Sequence, residues 1–397
     1  MRLSKLSLAP VALLALGLIS ALPAAAQLTP KQELGKALYF DQNLSLNKNQ
    51  ACASCHLPPG WADPRNAADP ANLVVSEGSI LGLFGGRNAP SSAYAAFSPF
   101  FQWDAAAGLF VGGQFWDGRA NTLKDQAKGP FLNPVEMAMP SKRAVLEAAA
   151  DPFNPNLLAY QTLFMSVYRV DLASLDLNNT IVVDAVYDLL AEAIGDFEKN
   201  RELNAFTSKY DYYLAGKVRL SGNELRGLQL FNGKAKCALC HLSAPAIAAD
   251  GVSVMPPLFT DFTYDNLGIP KSINPLLAAN PVDFGLGGRA DIAALDPQGL
   301  QLGKFKVVTL RNIALTAPYG HNGYFATLTD IVNFYNTAGI PGMWPPPEVP
   351  HNVNRAELGN LGLMPMQVAH LVAFLNTLSD GYRPGPSPLA FPLPPLP

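Results

Sequence analysis

Cys52-Ala-Ser-Cys55-His56 and Cys237-Ala-Leu-Cys240-His241 are the stretches from which the rest of the chain is read, and together they use all four of its cysteines. A Cys-x-x-Cys-His run fits covalent attachment of a c-type haem. Each thiol adds to one vinyl group of the porphyrin, and the adjacent histidine reaches the iron. Paired cysteines also build zinc sites or disulfides. A zinc site would need the two pairs to come together, and it gives no reason for a histidine after both. The doubled motif therefore predicts two covalently bound haem c groups. Cys52, Cys55 and His56 hold one, and Cys237, Cys240 and His241 hold the other.

Residues 1–26 read as a signal peptide. Arg2 and Lys5 supply a positive start, Val11 to Leu22 an apolar run, and Ala24-Ala-Ala26 a small-residue cleavage site before Gln27. The apolar run is short for a bilayer span. The expectation is a periplasmic mature chain with no membrane span after cleavage, in the compartment where haem c is attached. Cleavage leaves 371 of the 397 residues and moves the formal charge from −3 to −5. Haem propionates add to that negative charge. The balance argues against nucleic acid as a partner and admits a basic protein partner. Charged residues are only 15%, against 35 prolines and 32 glycines, which points to long loops wrapped around cofactors.

Both motifs follow the same lead-in. Thr29-Pro30-Lys31-Gln32 is a capping box, with Leu34, Ala37 and Leu38 behind it at helical spacing. Ser221-Gly-Asn-Glu224 is a second, followed by Leu225, Leu228 and Leu230-Phe231. Glu33 precedes Cys52 by nineteen residues and Glu224 precedes Cys237 by thirteen, so the first module carries six extra residues. Helices are expected over Pro140–Ala150, Thr180–Glu198, Leu328–Tyr335 and Met366–Leu378. In the second of these, Ile181, Ala185, Leu189, Ala193 and Phe197 share a face. Residues 243–304 read as loops. The fold class is mainly α: two cytochrome c-like haem domains, over residues 27–200 and 201–383, with long loops and few short strands. Residues 384–397 form a proline-rich tail.

Several further motifs occur in a fixed order: Leu34-Gly-Lys-Ala-Leu38, Gly86-Arg-Asn-Ala-Pro90, Phe115-Trp-Asp-Gly-Arg119, Asn133-Pro-Val-Glu-Met137 and Leu310-Arg-Asn-Ile-Ala-Leu-Thr-Ala-Pro-Tyr319. With the haem motifs they resemble the bacterial di-haem cytochrome c peroxidases and their MauG-type relatives over most of the mature chain. The resemblance implies that the amino-terminal haem reacts with hydrogen peroxide. It puts Glu136 on the distal acid/base position and Gln126 on the distal glutamine. It puts Trp116 on the tryptophan between the haems, and Asn88, Thr316 and Pro318 on a calcium site of amide and carbonyl oxygens. Read without it, Glu136 is a surface or cap acid, Trp116 a core aromatic, and Asn88, Thr316 and Pro318 turn residues.

Two departures bear on function. The peroxidases of the family carry a histidine soon after the first haem motif, which caps that iron at rest. The histidines here are 56, 241, 321, 351 and 370, so none lies between the two motifs. The first haem is then expected to be five-coordinate or water-bound; Met137 and Met139 are weaker substitutes. The second departure is Tyr335, fourteen residues after His321, where the peroxidases carry methionine and MauG-type enzymes carry a ligating tyrosine. Read from periodicity, Leu328, Ile331, Val332 and Tyr335 are a core stripe. The resemblance makes Tyr335 an axial ligand of the second haem, and phenolate favours more oxidised iron than thioether does.

The leading expectation is a periplasmic di-haem oxidoreductase, MauG-like, that uses hydrogen peroxide and stores oxidising equivalents on two haems to oxidise a partner protein. One alternative is a di-haem cytochrome c peroxidase fed by a small cytochrome or cupredoxin. Another is a non-catalytic di-haem electron carrier.

Overall fold

The Thr29 side chain accepts from the Gln32 amide at 3.2 Å, and the Gln32 side chain accepts from the Thr29 amide at 3.1 Å, which starts the helix Pro30–Phe40. The same reciprocal pair, Ser221 with Glu224, starts the helix Gly222–Asn232. Six residues into each helix stands a glycine. A Cβ on Gly35 would lie 1.9 Å from the Ala193 carbonyl oxygen, and one on Gly227 would lie 2.0 Å from that of His370. Each lead-in helix thus meets its partner backbone to backbone: Pro30–Phe40 on Thr180–Phe197, and Gly222–Asn232 on Pro365–Leu375. These matching crossings make the two halves versions of one module. This is a computed structural model that describes residues 27–247, 252 and 254–385; the expected signal peptide and most of the proline-rich tail lie outside the described residues.

With the capping residues as anchors, cap and first cysteine are 23 residues apart in the first module and 16 in the second. The insertion is seven residues, not six, because Gln32 rather than Glu33 is the equivalent of Glu224. A single turn, Gln42–Leu44, occupies part of it.

The described residues are mainly α, with three two-stranded sheets. The expected helices appear as Lys142–Ala149, Thr180–Phe197, Leu328–Thr337 and Pro365–Leu375. The face expected for the longest one is corrected. Ile181 is 78% exposed, and the buried stripe runs through Val183, Val186, Tyr187, Leu190, Ile194 and Phe197. The acids Asp184, Asp188, Glu192 and Asp196 form one outward stripe next to Ile181 and Ala185, and the opposite face packs inward, where Ala193 meets Gly35. Two further helices, Leu123–Leu132 and Leu157–Tyr168, lacked a clear sequence signal. The first contains Pro130, and the second starts at Asn156 without a side-chain cap. Within residues 243–304 the loops are broken by short strands and turns; Tyr264–Asp265 pairs with Phe305–Lys306.

One core gathers around Leu38, Phe131, Tyr187 and Phe197, the other around Phe231, Phe259, Phe334 and Phe374. The halves are tied by buried polar groups. Arg311 donates to both oxygens of Asp211 at 2.8 and 3.0 Å while its guanidinium faces the rings of Tyr94 and Phe206 at 4.9 and 4.4 Å. Arg87 likewise bridges Asp117 at 2.7 Å and Asp283 at 2.6 Å. Among the described residues no helix is long and apolar enough to cross a membrane.

Candidate functional site

Each Cys-x-x-Cys-His run lines its own cavity. Cys52, Cys55 and His56 face one of about 480 Å³; Cys237, Cys240 and His241 face another of about 210 Å³. No disulfide joins any of the four cysteines. Among the described residues no three His, Cys, Asp or Glu side chains converge as a metal cluster, so the two pairs do not make a zinc site. Burial pushes Cys55 up to about 11 and Cys237 and Cys240 to about 12, with Cys52 higher still.

The two histidines are held alike. His56 Nδ1 donates to the Trp61 carbonyl at 3.3 Å, and His241 Nδ1 donates to the Phe259 carbonyl at 2.8 Å. Burial holds both below the usual imidazole range, so they are neutral. A neutral ring with Nδ1 so bonded keeps its Nε2 lone pair for a metal. Each cavity also contains buried polar atoms without a hydrogen-bond partner among the described residues. In the first they are Ser76 Oγ and Glu198 Oε2, and burial pushes the Glu198 carboxyl up to about 8. In the second it is His321 Nε2, 3.6 Å from Glu348 and stacked on Phe305 at 3.6 Å between centroids. Paired thiols, a poised imidazole and an unpartnered polar group in each cavity fit a haem in each.

Glu136 and Gln126 both line the first cavity. The turn after the Leu123–Leu132 helix carries Glu136, and Asn133 Nδ2 donates to its Oε1 at 2.8 Å. Burial raises its carboxyl above the usual range; the Asn133 hydrogen bond and the Arg119 charge act against this. The Gln126 side chain makes no hydrogen bond among the described residues. Met137 lines this cavity too, whereas Met139 does not, and His56 is its one histidine among the described residues.

Trp116 lines both cavities, with Asn88, Pro90 and Lys306 beside it. Its indole N–H donates to the Asn88 carbonyl at 2.8 Å. Lys306 Nζ donates to the Gly113 carbonyl at 2.7 Å, and burial brings its ammonium down to about 8 against the pull of Asp117.

Tyr335 lies in the second cavity with Cys237, Cys240 and His241. Its hydroxyl makes no hydrogen bond among the described residues, and burial pushes the phenol far above its usual range. Asn88, Thr316 and Pro318 lie on the wall of this same cavity. Asn88 Nδ2 donates to the Val74 carbonyl at 3.2 Å, which leaves Oδ1 without a partner among the described residues.

Glu198, Lys306 and the free nitrogen of His321 were not legible as site residues. An acid at a helix end and a lysine between apolar residues ordinarily face water. Only their long-range burial distinguishes them.

A family model described as di-haem cytochrome c peroxidase matches residues 29–219. The chain is 39% identical to the methylamine utilization protein MauG of Paracoccus denitrificans (strain Pd 1222), covering 94% of each chain. It is 31% identical to cytochrome c551 peroxidase of Nitrosomonas europaea, covering 87% of this chain and 79% of the other. Among solved structures it is similar to the diheme peroxidase BthA from Burkholderia thailandensis E264, with a TM-score of 0.71, 30% identity and 90% of each chain covered.

Proposed function

The chain belongs to the di-haem cytochrome c peroxidase and MauG family, and from that premise we propose a MauG-type role for it: peroxide-driven oxidation of a partner protein. It is a di-haem peroxidase-type oxidoreductase, an enzyme with two haem cofactors. In the proposed reading both haems are covalent haem c groups. Cys52, Cys55 and His56 would hold one, and Cys237, Cys240, His241 and Tyr335 would hold the other. The bound haems supply the redox chemistry, taking up the two oxidising equivalents that peroxide delivers.

The side chains of the first cavity manage protons. Cleaving the O–O bond requires a proton to move from one peroxide oxygen to the other. Glu136 is suited to both halves of that transfer, because burial has brought its carboxyl towards neutrality and Asn133 fixes its orientation. The uncommitted amide of Gln126 orients the peroxide beside it. Trp116 couples the two cavities electronically through the wall they share, held by its bond to Asn88. Asn88, Thr316 and Pro318 are proposed to bind one Ca²⁺ through amide and carbonyl oxygens, with the unpartnered Asn88 Oδ1 as a hard donor. The proposed compartment is the periplasm.

The observation that carries the MauG-type reading is the half-buried Tyr335, whose hydroxyl has no hydrogen-bond partner among the described residues, in the cavity of His241. A phenol held above its usual range by burial would ionise, its proton passing to water, only beside a strong local cation such as ferric iron. Tyr335→Met tests this. The expected result is a rise of roughly 0.1 V or more in one haem potential, within the ~0.8 V that haem axial ligands span. Partner oxidation should be lost, while peroxide consumption with an added donor persists. An unshifted potential and an unchanged ferric EPR spectrum would overturn the assignment.

A further inference from the structure

The hairpin of Gln102–Asp104 and Leu109–Val111 carries aromatic side chains that the reading above does not use. Trp103 is 50% exposed and Phe100 67% exposed, beside the small exposed residues Ala105, Ala106 and Ala107. An exposed apolar residue alone is ordinary. Trp103, however, is the outer end of a continuous ladder of rings. Its indole meets Phe110 edge-on at 4.9 Å between centroids, Phe110 stacks on Phe101 at 5.2 Å and 5°, and Phe101 meets Tyr264 edge-on at 5.9 Å.

The inner end of the ladder rests on the turn that holds Trp116. Gly118 adopts φ +69°, and a Cβ there would lie 2.1 Å from the Tyr264 hydroxyl oxygen and 2.7 Å from Phe101 Cδ2. Only glycine lets both rings come that close to the Trp116–Gly118 backbone. Tyr264 donates to the Gly112 carbonyl at 2.5 Å. Lys306, its strand partner, donates from its backbone to the Trp116 carbonyl at 2.8 Å. Arg289 lies over Phe101 at 4.2 Å and donates to the Asp117 carbonyl at 3.0 Å. The ladder therefore runs from solvent to the wall shared by both cavities.

We propose that Trp103 is a surface electron-uptake site: a partner protein gives one electron to its indole, and the electron passes along Phe110, Phe101 and Tyr264 to Trp116. This rests on the peroxide-driven reading and locates where the partner's donor group docks. Each peroxide accepts two electrons, so the cycle runs twice per turnover, with the partner as reductant and the peroxide-derived equivalents as oxidant. On oxidation the exposed indole releases its N–H proton to water, and on reduction by the partner it regains one. The phenylalanine rings stay unoxidised and bridge the tunnelling step. In the patch of Phe100, Trp103 and three alanines the one charge within the hairpin turn, the Asp104 carboxylate, is bound by the Ala106 and Ala107 amides, which leaves the aromatic face to a partner presenting an apolar, aromatic donor.

The test uses the haem-loaded protein and hydrogen peroxide with no donor present. The rate of the haem absorbance change is read by stopped flow, and oxygen incorporation is mapped by peptide mass spectrometry. Trp103 is expected to gain oxygen, with a transient tryptophan radical in freeze-quenched EPR that disappears in Trp103→Phe. In Phe101→Leu, which interrupts the ladder and keeps an apolar side chain, Trp103 oxidation should fall several-fold while the peroxide-induced haem change keeps its rate. Equal Trp103 oxidation in wild type and Phe101→Leu would mean direct attack by peroxide and would overturn the proposal, as would an unmodified Trp103. Absence of any haem change in wild type would instead overturn the peroxide reading on which the proposal rests.

Discussion

The two modules share a scaffold and differ in what faces the iron position. Both begin with a capping box, and both cross a second helix at a glycine. Both hold a neutral histidine by Nδ1 against a carbonyl. Besides that histidine the first cavity is lined by Glu136 and an uncommitted Gln126, and the second by Tyr335 and His321. The first is also the roomier, at about 480 against 210 Å³. A wall that offers a movable proton and space suits a small reactant. A wall that offers a half-buried phenol suits a fixed ligand. Duplicated scaffolding thus leaves each half free to specialise through a few side chains, and Trp116 in the common wall keeps the halves coupled.

Removing the proton-transfer group of one half should break this division most sharply. Glu136→Gln should slow peroxide activation by roughly 10²-fold or more, the usual scale of acid/base assistance, with both haems still attached. Stopped-flow absorbance at the first haem is the measurement. An unchanged rate would remove Glu136 from the reaction.

The orphaned carboxyl of the first cavity gives a pH signature. Burial raises Glu198 to about 8, so the folded state binds its proton more tightly than the unfolded chain does. The resulting stability is complete below the unfolded carboxyl range and is lost as pH rises through about 8. Glu198→Gln should flatten the fall in thermal midpoint between pH 5 and 9, by an amount worth at most a few kcal/mol. Parallel curves for the two proteins would show that the carboxyl is ionised throughout.

The shared scaffold predicts equal penalties in the two halves. Gly35→Ala and Gly227→Ala each force a helix crossing apart and should each cost about 1–3 kcal/mol, read from denaturant midpoints. A much smaller cost at one of them would mean that its crossing relaxes and that the modules are less alike than their glycines suggest.

The attachment motifs, both capping boxes and the mainly α class follow from local patterns. Each depends on residues a few positions apart, so spacing alone specifies the chemistry or the hydrogen bond. The roles expected for Glu136, Gln126, Trp116 and Tyr335 came from resemblance, since an isolated acid, amide or aromatic has the same local appearance in a core or on a surface. The buried face of Thr180–Phe197 differs from the expected one because Asp184, Asp188, Glu192 and Asp196 form an acidic stripe that pairs with lysines, and the core stripe lies on the side away from it, whereas Ile181 and Ala185 flank the acids. Only the tertiary structure made one wall common to both cavities, buried Glu198 and Lys306, and laid the Trp103 ladder against Gly118. The reason is that burial and ring contact join residues more than a hundred positions apart, as Tyr264 is from Gly112, and no local period encodes such a distance.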